Sequence, residues 1–428
     1  MSLGLIMPLI GRLPCNFSDM EINMTLLNEN ALSNLPNFKS NHASCYQPLK
    51  FKVCGESLLF APKSVIVDGL VSYGGSTGKG FKLVKKAFGE FHERNHLFMQ
   101  VPIHCYKKLC EVMPERHQEQ LMGLCQTSTD KQTLLNHSFA FTTVRNLFTE
   151  ETRDYFYNAI ALNGKTADKP FIYFSDSCGA ACHSQKQAAL YNSLMEFIER
   201  QALLGSWLSK NYQFNINPAL LSRMTPYKKL VKTLLDNGEL VIVQNGNLLP
   251  AHTVIIFYFA DCQNDRVQYS IGSSSGLTLA EALNSALEEL YQCYSFLYNT
   301  ESFVGLENKA GAGYHLAFQQ CNRSNIKETI PFLNNVTAGI YDINTWAQIE
   351  NLKEYHYDEV IAELKNLSSD IFYYHFFDES TKLHHTKVLS PDFFAHMALN
   401  DALNIDNTYA KKLGITKENA FLGKIPFP

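Results

Sequence analysis

The chain has 428 residues, of which 46% are hydrophobic and 18% charged, so it can bury a sizeable core and is not intrinsically disordered. Its 37 basic and 41 acidic residues give a net charge of −4, which argues against a dedicated nucleic-acid-binding protein. Eleven cysteines without regular spacing indicate reduced thiols rather than a disulfide framework. We find no convincing signal peptide or membrane span, and we therefore expect a cytoplasmic protein that contacts neither nucleic acid nor membrane.

Taken in order, the predicted elements are those of an α/β protein with mixed sheets flanked by helices. Residues 1–60 are rich in Asn, Ser and Pro and predict an irregular N-terminal extension, and the remainder, 61–428, predicts one domain. Helices are predicted at Phe81 to about Gln100, over 101–137, at Gln187–Leu208 and at Leu279–Leu297. Strands are predicted within Leu58–Val71 and at Phe139–Asn146, Phe171–Phe174, Glu239–Val243, His252–Phe259, Gln268–Ile271, Val336–Tyr341, Ile371–Phe377 and Lys387–Leu389.

Three of these helices follow a loop of small residues and carry similar polar stripes. The loops are predicted at Ser72–Gly80, at the Cys/Gly/Ala/Ser segment after Phe174, and at Gly272–Gly276. Residues spaced i, i+4, i+7 lie on one helix face. The stripes are Lys86, Glu90 and Glu93, then Asn192, Glu196 and Glu199, then Ser285, Glu289 and Gln292. The pattern indicates a degenerate internal repeat of three loop–helix units that converge on one site.

The second stripe is the most informative, because its helix is apolar on nearly every face and is therefore expected to be buried. Glu196 and Glu199 would then point inward with like charge, which costs several kcal/mol unless they are paired. Arg200 lies about 100° round the helix from Glu199, so we do not expect it to neutralise both acids. Carboxylates from several helices suit Mg²⁺, which commonly binds nucleotide phosphates.

Several other interpretations of these residues remain open. The stripes could be solvent-facing, because like-charged pairs cost little on an exposed helix. Gly78-Lys79-Gly80 is not a P-loop, since Tyr73 and Gly80 stand where that motif requires Gly and Ser or Thr. Cys178, Cys182 and His183 could belong to a zinc site, but no second ligand pair has matching spacing.

With these motifs in order, the chain resembles the YcaO family, and within it the cyclodehydratase subunits of microcin B17-type synthetases. The resemblance covers about residues 60–428. It rests on Gly78-Lys79-Gly80 with Glu90-Phe91-His92-Glu93-Arg94, on Glu196-Phe197-Ile198-Glu199-Arg200, and on Ala286-Leu287-Glu288-Glu289-Leu290-Tyr291-Gln292. Asp176-Ser177-Cys178-Gly179, Ser390-Pro391-Asp392-Phe393-Phe394 and the terminal Pro426-Phe427-Pro428 also resemble that group. Residues 61–428 would accordingly be a YcaO-like ATP-binding catalytic domain with a Pro-x-Pro tail.

The resemblance implies ATP-dependent cyclodehydration of Cys, Ser or Thr in a ribosomal precursor peptide. The residue's side chain would attack the preceding backbone carbonyl, whose oxygen would take a phosphoryl group, and phosphate would leave to give a thiazoline or oxazoline. Positioning and charge neutralisation dominate such chemistry, which suits a carboxylate–Mg²⁺ cluster. Two alternatives stay open: another ATP-dependent amide activation, such as thioamide formation, and a non-catalytic scaffold subunit.

The resemblance also implies roles for individual residues. Glu90, Glu93, Glu196, Glu199 and Glu289 would hold Mg²⁺ with its nucleotide. Asn192 and Gln292 would hydrogen-bond phosphate or metal-bound water. Ser76, Lys79, Arg94 and Arg200 would contact phosphate, although each arginine could equally orient a carboxylate. Pro426 and Pro428 would line the active site as catalytic residues of a stiff tail. Departures occur at Gln201 and at Cys293-Tyr294, where the family often has Asp and a basic residue.

Partner proteins are implied as well. The chain shows no obvious leader-peptide recognition domain, so we expect substrate capture to need a separate E1-like leader-binding subunit. The resemblance further implies an FMN-dependent dehydrogenase that oxidises azolines to azoles. The low charge and the 12% aromatic content agree with burial in such a complex.

Overall fold

A computed structural model describes most of the chain. The described residues are 63–69, 72–78, 80–112, 114–122, 125, 129–163, 167–171, 175–245, 248–298, 320–328, 341–397 and 403–422, together with the backbone of strands at 22–24 and 49–54.

The secondary structure alternates strands and helices throughout. The strands are β1 Ile22–Met24, β2 Leu49–Cys54, β3 Lys63–Asp68, β4 Tyr73–Gly78, β5 Cys105–Lys107, β6 Phe139–Asn146, β7 Thr152–Phe156, β8 Ala180–His183, β9 Tyr212–Ile216, β10 Gly238–Asn245, β11 His252–Ala260, β12 Tyr269–Gly276, β13 Tyr341–Ile343, β14 Phe372–Asp378 and β15 Leu383–Leu389. The α-helices are α1 Phe81–Met99, α2 Leu109–Val112, α3 Glu115–Met122, α4 Lys131–Asn136, α5 Lys186–Ser209, α6 Leu221–Met224, α7 Lys228–Asn237, α8 Leu279–Tyr298, α9 Trp346–Glu350, α10 Tyr357–Leu367 and α11 Thr408–Lys412. Short 3₁₀ turns lie at Tyr157–Ala159 and Pro218–Leu220, and a π-helical turn at Arg323–Lys327.

The strands form three sheets, which confirms the predicted α/β class with mixed sheets flanked by helices. The first sheet has the order β1-β2-β3-β4, the second β12-β11-β10-β9-β13, and the third β5-β6-β14-β15-β8 with β7 paired to β6. The pairs are antiparallel except for β13 with β9, which is parallel. Because β1 pairs with β2 and β2 pairs with β3, two segments of residues 1–60 belong to the first sheet.

The three long helices each follow the end strand of a different sheet. Strand β4 leads to α1, β8 leads to α5, and β12 leads to α8. The predicted loops at Ser72–Gly80 and Gly272–Gly276 are therefore wrong in type, because β4 and β12 occupy most of them. Glycine and serine mislead here, since both are typical of turns. Whether the three strand–helix units are related as repeats stays a prediction.

Small residues in the end strands allow the helices to pack very closely. A Cβ atom at Gly74 would lie closer than 3.0 Å to the backbone of Ala87 and Phe91 in α1. A Cβ atom at Gly272 would meet the backbone of Ala286 and Leu290 in α8 in the same way. Backbone-to-backbone packing of this kind needs glycine, because there is no room for a side chain.

Helix α5 is central, as its apolar sequence predicts. Leu194, Ile198, Trp207 and other residues of α5 are buried in one hydrophobic cluster with residues of β10, β11, β12, β14 and β15. The helix thus lies between the second and third sheets. It ends where Lys210 adopts the left-handed conformation (φ 57°), a common helix C-cap.

Other expectations have mixed outcomes. The polar helix predicted over 101–137 is replaced, where described, by strand β5 and the short helices α2, α3 and α4. The predicted strands at Phe171–Phe174 and Val336–Tyr341 lie largely outside the described residues, as does most of the N-terminal extension, which stays a prediction. Among the described residues, no helix is long and apolar enough to cross a membrane.

We predict that Gly272→Ala destabilises the fold while Gly89→Ala does not. The new methyl group at position 272 would collide with the backbone of α8 and lower the free energy of unfolding by at least about 2 kcal/mol. A methyl group at Gly89, inside α1, would make only an ordinary 3.7 Å contact and should raise helix stability by up to about 1 kcal/mol. Urea midpoints of the two variants measure the difference, and equal midpoints would contradict the packing described.

Candidate active site

Five glutamates from the three long helices form one cluster, which we call the glutamate cluster. Glu90 and Glu93 come from α1, Glu196 and Glu199 from α5, and Glu289 from α8. The side chains of Glu90 and Glu196 are each 27% exposed and that of Glu199 is 11% exposed, so none faces open solvent. Glu93 and Glu289 are half-buried. The inward direction expected for Glu196 and Glu199 is therefore observed.

Glu90 is fixed by groups on two sides. The backbone N–H of Gly75 in β4 donates to Glu90 Oε2 at 2.6 Å, and Arg94 Nη2 lies 2.6 Å from Glu90 Oε1. The Arg94 guanidinium also stacks on the ring of Tyr73, 4.3 Å from its centroid. Although burial opposes it, the Glu90 carboxylate raises the pKa of Arg94, so this arginine is a permanent cation beside the cluster.

Ser273 in β12 ties the second helix to the third. Its hydroxyl donates to Glu199 Oε1 at 2.7 Å, and its backbone N–H donates to Glu289 Oε2 at 2.9 Å. The bond from the Ser273 N–H to Glu289 matches the bond from the Gly75 N–H to Glu90. In both strands the donor is the residue that follows the closely packed glycine, Gly272 or Gly74. The short distance between strand and helix therefore orients Glu90 and Glu289 directly.

Arg200 corrects one sequence-based expectation. We expected it not to serve both acids of α5, yet Arg200 Nε lies 3.8 Å from Glu196 Oε1 and Arg200 Nη1 lies 3.9 Å from Glu199 Oε1. Glu196 is one turn earlier on the same helix face, and the long arginine side chain spans the angle to Glu199. The arginine thus neutralises part of the charge of α5 from within the same helix.

The carboxylates repel one another in a closed ring. Burial raises the pKa of Glu93 to about 8, and the Glu90 carboxylate adds to this increase. Burial, assisted by Glu93 and Glu199, raises the pKa of Glu196 well above its usual value. Burial raises the pKa of Glu289 to about 7, and the carboxylates of Glu199 and Glu90 add to it. Each glutamate therefore lies in the field of the next, and protons or cations must offset their charge.

Divalent cations suit this donor set, because they would replace the protons that the raised pKa values of Glu93 and Glu289 otherwise favour near neutral pH. Mg²⁺ prefers carboxylate oxygens and usually keeps water or phosphate among its ligands. In the described part of the chain, the one triad of His, Cys, Asp or Glu whose ligand atoms lie within 4.8 Å of one another is His117, Asp370 and Asp392, outside the glutamate cluster. Among the described residues, no three of the five glutamates meet that spacing, so a cation held here would need further oxygen ligands, such as those of a polyphosphate.

The remaining predicted site residues fall into three groups. Gln292 lies at the cluster, because a Cβ atom at Gly75 would be 3.4 Å from its Nε2. Ser76 is buried in β4, next to Gly75, and Asn192 is exposed on α5 one turn before Glu196. Lys79, Pro426 and Pro428 lie outside the described residues. The roles assigned to all of these residues stay predictions.

One nearby cation was missed from the sequence. Lys387 in β15 is 4% exposed, and its Nζ donates to the backbone carbonyl of Asp176 at 2.6 Å. Burial lowers the pKa of Lys387, while Asp176, Cys178, Glu196 and Glu93 raise it. The sequence did contain an indication of this residue, namely a lysine inside a predicted apolar strand. Lysine is almost never fully buried without a partner, so a lysine at such a position indicates a nearby acidic or polar group. A small cavity of about 30 Å³ lies beside it, lined also by Cys178, Phe197 and Gln201.

Comparisons with known proteins identify the family. The family model of the YcaO cyclodehydratases, described as ATP- and Mg²⁺-binding, matches residues 87–394. The microcin B17-processing protein McbD of Escherichia coli is 28% identical over 363 residues, which cover 82% of this chain and 89% of McbD.

Solved structures extend the comparison to the fold. A chain of the E. coli microcin synthetase McbBCD complex aligns with a TM-score of 0.76 and 25% identity over 92% of this chain and 100% of that chain. The YcaO protein of Methanopyrus kandleri, solved with AMPPCP and Mg²⁺, aligns with a TM-score of 0.57 and 13% identity. The alignment covers 82% of this chain and 87% of that protein. At this level of identity the comparison shows a shared fold and nothing more. Since the family match spans most of the sequence and all five glutamates, the chain belongs to the YcaO family.

Proposed function

We propose that this chain is the ATP- and Mg²⁺-dependent cyclodehydratase subunit of an azole-forming synthetase of the microcin B17 type. The single observation that carries the proposal is the ring of five carboxylates contributed by α1, α5 and α8. The 28% identity with McbD supports the choice of an azole-forming system within the family. The substrate would be a ribosomal precursor peptide, since a structure of the McbBCD complex contains bound pro-MccB17.

In this proposal the glutamate cluster holds Mg²⁺ and, through it, the polyphosphate of ATP. Bound Mg²⁺·ATP supplies the phosphoryl group that turns an amide oxygen into a leaving group. The chain's own contribution is to fix the carboxylates: Gly75 and Ser273 orient Glu90 and Glu289, and Ser273 also orients Glu199. Fixed charges of this kind assist phosphoryl transfer without reorganising during the reaction.

The cationic and polar residues complete the site. Arg94 pairs with Glu90, Arg200 lies near Glu196 and Glu199, and both arginines can also face phosphate oxygens. We assign Ser76, Lys79, Asn192 and Gln292 to phosphate or metal-bound water, in keeping with the position of Gln292 beside Gly75. Lys387 adds a buried positive charge on the side of Glu93 and Glu196.

The peptide reaction balances as a dehydration. A Cys thiol or a Ser or Thr hydroxyl adds to the preceding backbone carbonyl carbon and loses its proton. The carbonyl oxygen departs with the transferred phosphoryl group as inorganic phosphate, and the amide nitrogen loses its proton as the C=N bond forms. The peptide therefore loses one water per ring, while ATP becomes ADP and phosphate.

Two further elements belong to the proposal. Pro426 and Pro428 form a stiff tail that lines the site and positions the peptide. An E1-like subunit would bind the leader peptide, and an FMN-dependent dehydrogenase would oxidise the azolines to azoles. The match to a chain of the three-component McbBCD complex supports assembly with partner subunits.

We predict that a precursor peptide incubated with this chain, its partners, ATP and Mg²⁺ loses about 18 Da per modified residue, the mass of one water, before oxidation. Intact-mass spectrometry measures this loss, and omission of ATP or Mg²⁺ provides the control. A gain of about 16 Da, from exchange of oxygen for sulfur, would establish thioamide formation instead. No mass change with a bound, competent precursor would favour the scaffold interpretation.

We predict that Glu196→Gln lowers ATP turnover by at least about 100-fold without unfolding the protein. The substitution removes one buried negative charge from the ring with little change in volume, so the cost falls on cation binding rather than on packing. Glu288→Gln is the matched control, because Glu288 lies on α8 beside Glu289 but contacts Lys86 and Tyr227. Phosphate release reports turnover, and equal rates for the two variants would remove Glu196 from the site.

We predict that deletion of Pro426–Pro428 abolishes ring formation and leaves nucleotide binding within about twofold of wild type. Ring formation and nucleotide binding should respond differently because, in this proposal, the glutamate cluster and not the tail holds the metal and the phosphates. Calorimetric titration with AMPPCP and Mg²⁺ measures binding, and mass spectrometry measures ring formation. Rings formed at the wild-type rate by the shortened chain would show that the tail has no catalytic role.

A further inference from the structure

Lys387 is a buried cation that the described acidic side chains do not contact directly. The residue is 4% exposed, and its ammonium group donates to two backbone carbonyls, those of Asp176 at 2.6 Å and Ile160 at 3.4 Å. Among the described residues, no carboxylate oxygen lies within 4.0 Å of Lys387 Nζ. Because a buried ammonium group is costly without a negative charge nearby, acids at longer range must offset it.

Helix α1 covers the face of the third sheet on which Lys387 lies. A Cβ atom at Gly89 would lie 3.7 Å from the backbone oxygen of Cys182 in β8. His96 stacks on His385 in β15, with 4.2 Å between the ring centroids. Glu93 lies between Gly89 and His96 in an i, i+4, i+7 pattern, so all three are on one helix face. The Glu93 side chain is therefore directed toward β8 and β15.

Lys387 and Glu93 face each other across this packing. Lys387 shares a face of β15 with His385, two residues earlier, because side chains alternate along a strand. The lysine is therefore on the sheet face that α1 covers. Burial raises the pKa of Glu93 to about 8, and the positive charge of Lys387 opposes that increase.

Helix α5 also reaches Lys387. Ser193 Oγ accepts a hydrogen bond from the backbone N–H of Val388, the residue after Lys387, at 3.0 Å. Phe197 lines the small cavity beside Lys387. Glu196 lies within the same turn of α5 as these two contacts. Burial lowers the pKa of Lys387, whereas Glu196 is one of the acids that raise it.

Glu93 is the member of the glutamate cluster for which such a cation matters most. The other four glutamates each have a hydrogen-bond donor or an arginine nitrogen within 4.0 Å. Among the described residues, Glu93 has neither. Lys387 is a fixed cation on the side to which Glu93 is directed, so the two charges can offset each other.

We propose that Lys387 is a positioning residue of the ATP site, whose ammonium group is a built-in cation between α1 and α5. It holds the Glu93 carboxylate toward Glu196 and offsets part of their charge whether or not metal is bound. Because positive charges repel, it also weakens the binding of Mg²⁺ by these carboxylates, so that metal and nucleotide can leave after each turnover. This inference rests on the proposed function, since it concerns the same site.

Titration of MnCl₂ into the chelator-treated full-length chain, without nucleotide, tests the inference. Electron paramagnetic resonance measures free Mn²⁺ and thus gives the affinity. We expect Lys387→Met to bind Mn²⁺ at least about 10-fold more tightly than wild type, because a positive charge is removed from beside the carboxylates. A loss of packing alone would have the opposite effect, since a loosened site binds cations less tightly.

Lys107→Met is the matched control. Lys107 is also a strand lysine of the third sheet, but it pairs with Asp154 at 3.0 Å. Its replacement should leave the Mn²⁺ affinity at the wild-type value. Equal or weaker binding by Lys387→Met, or the same tightening in both variants, would overturn the inference and leave the proposed function standing. A wild-type chain that binds no Mn²⁺, even with ATP present, would refute both.

Rescue by magnesium keeps the inference testable if Lys387→Met fails to fold. Without the lysine, the carboxylates of Glu93 and Glu196 lose a fixed counter-charge. Excess MgCl₂ should then restore the fold, because bound Mg²⁺ supplies that charge and stabilises the folded state. Circular dichroism at increasing MgCl₂ measures the rescue. A variant that stays unfolded in excess MgCl₂ would show that Lys387 serves packing alone and would overturn the inference.

Discussion

Repulsion among five partly or fully buried carboxylates is the constraint on which the rest of this protein depends. Neighbouring carboxylates raise the pKa values of Glu93, Glu196 and Glu289, and Arg94, Arg200 and Lys387 supply the positive charges described beside them. Such a group is unfavourable in an isolated fold and becomes favourable when divalent cations bind. The hydrophobic cluster around α5 supplies the stability that tolerates it.

Backbone packing converts this constraint into a defined geometry. Because Gly74 and Gly272 have no side chain, β4 and β12 approach α1 and α8 closely enough for the next backbone N–H in each strand to reach a glutamate. The carboxylates of Glu90 and Glu289 are thus held by main-chain donors, which move less than side chains do. This precision is what charge stabilisation in phosphoryl transfer requires.

The sequence was sufficient to identify the three helices and their acidic stripes, because helical periodicity is a strong signal over about 20 residues. It was misleading about β4 and β12, since glycine and serine favour turns in general and reveal a strand only when a helix packs on them. The contact of Arg200 with both acids depends on a side-chain conformation, and the position of Lys387 depends on the pairing of β15 with β8. Neither can be read from spacing along one helix.

The placement of each catalytic helix after the end strand of a separate sheet has a consequence for how the protein acquires its activity. None of the three sheets contains a complete ligand set, so a partly folded chain has no weaker version of the site. Nucleotide affinity should therefore emerge in a single step, when the last sheet docks. In the proposed function, ligand binding and completion of the tertiary structure would be coupled, and metal-bound nucleotide would stabilise the contacts among all three sheets.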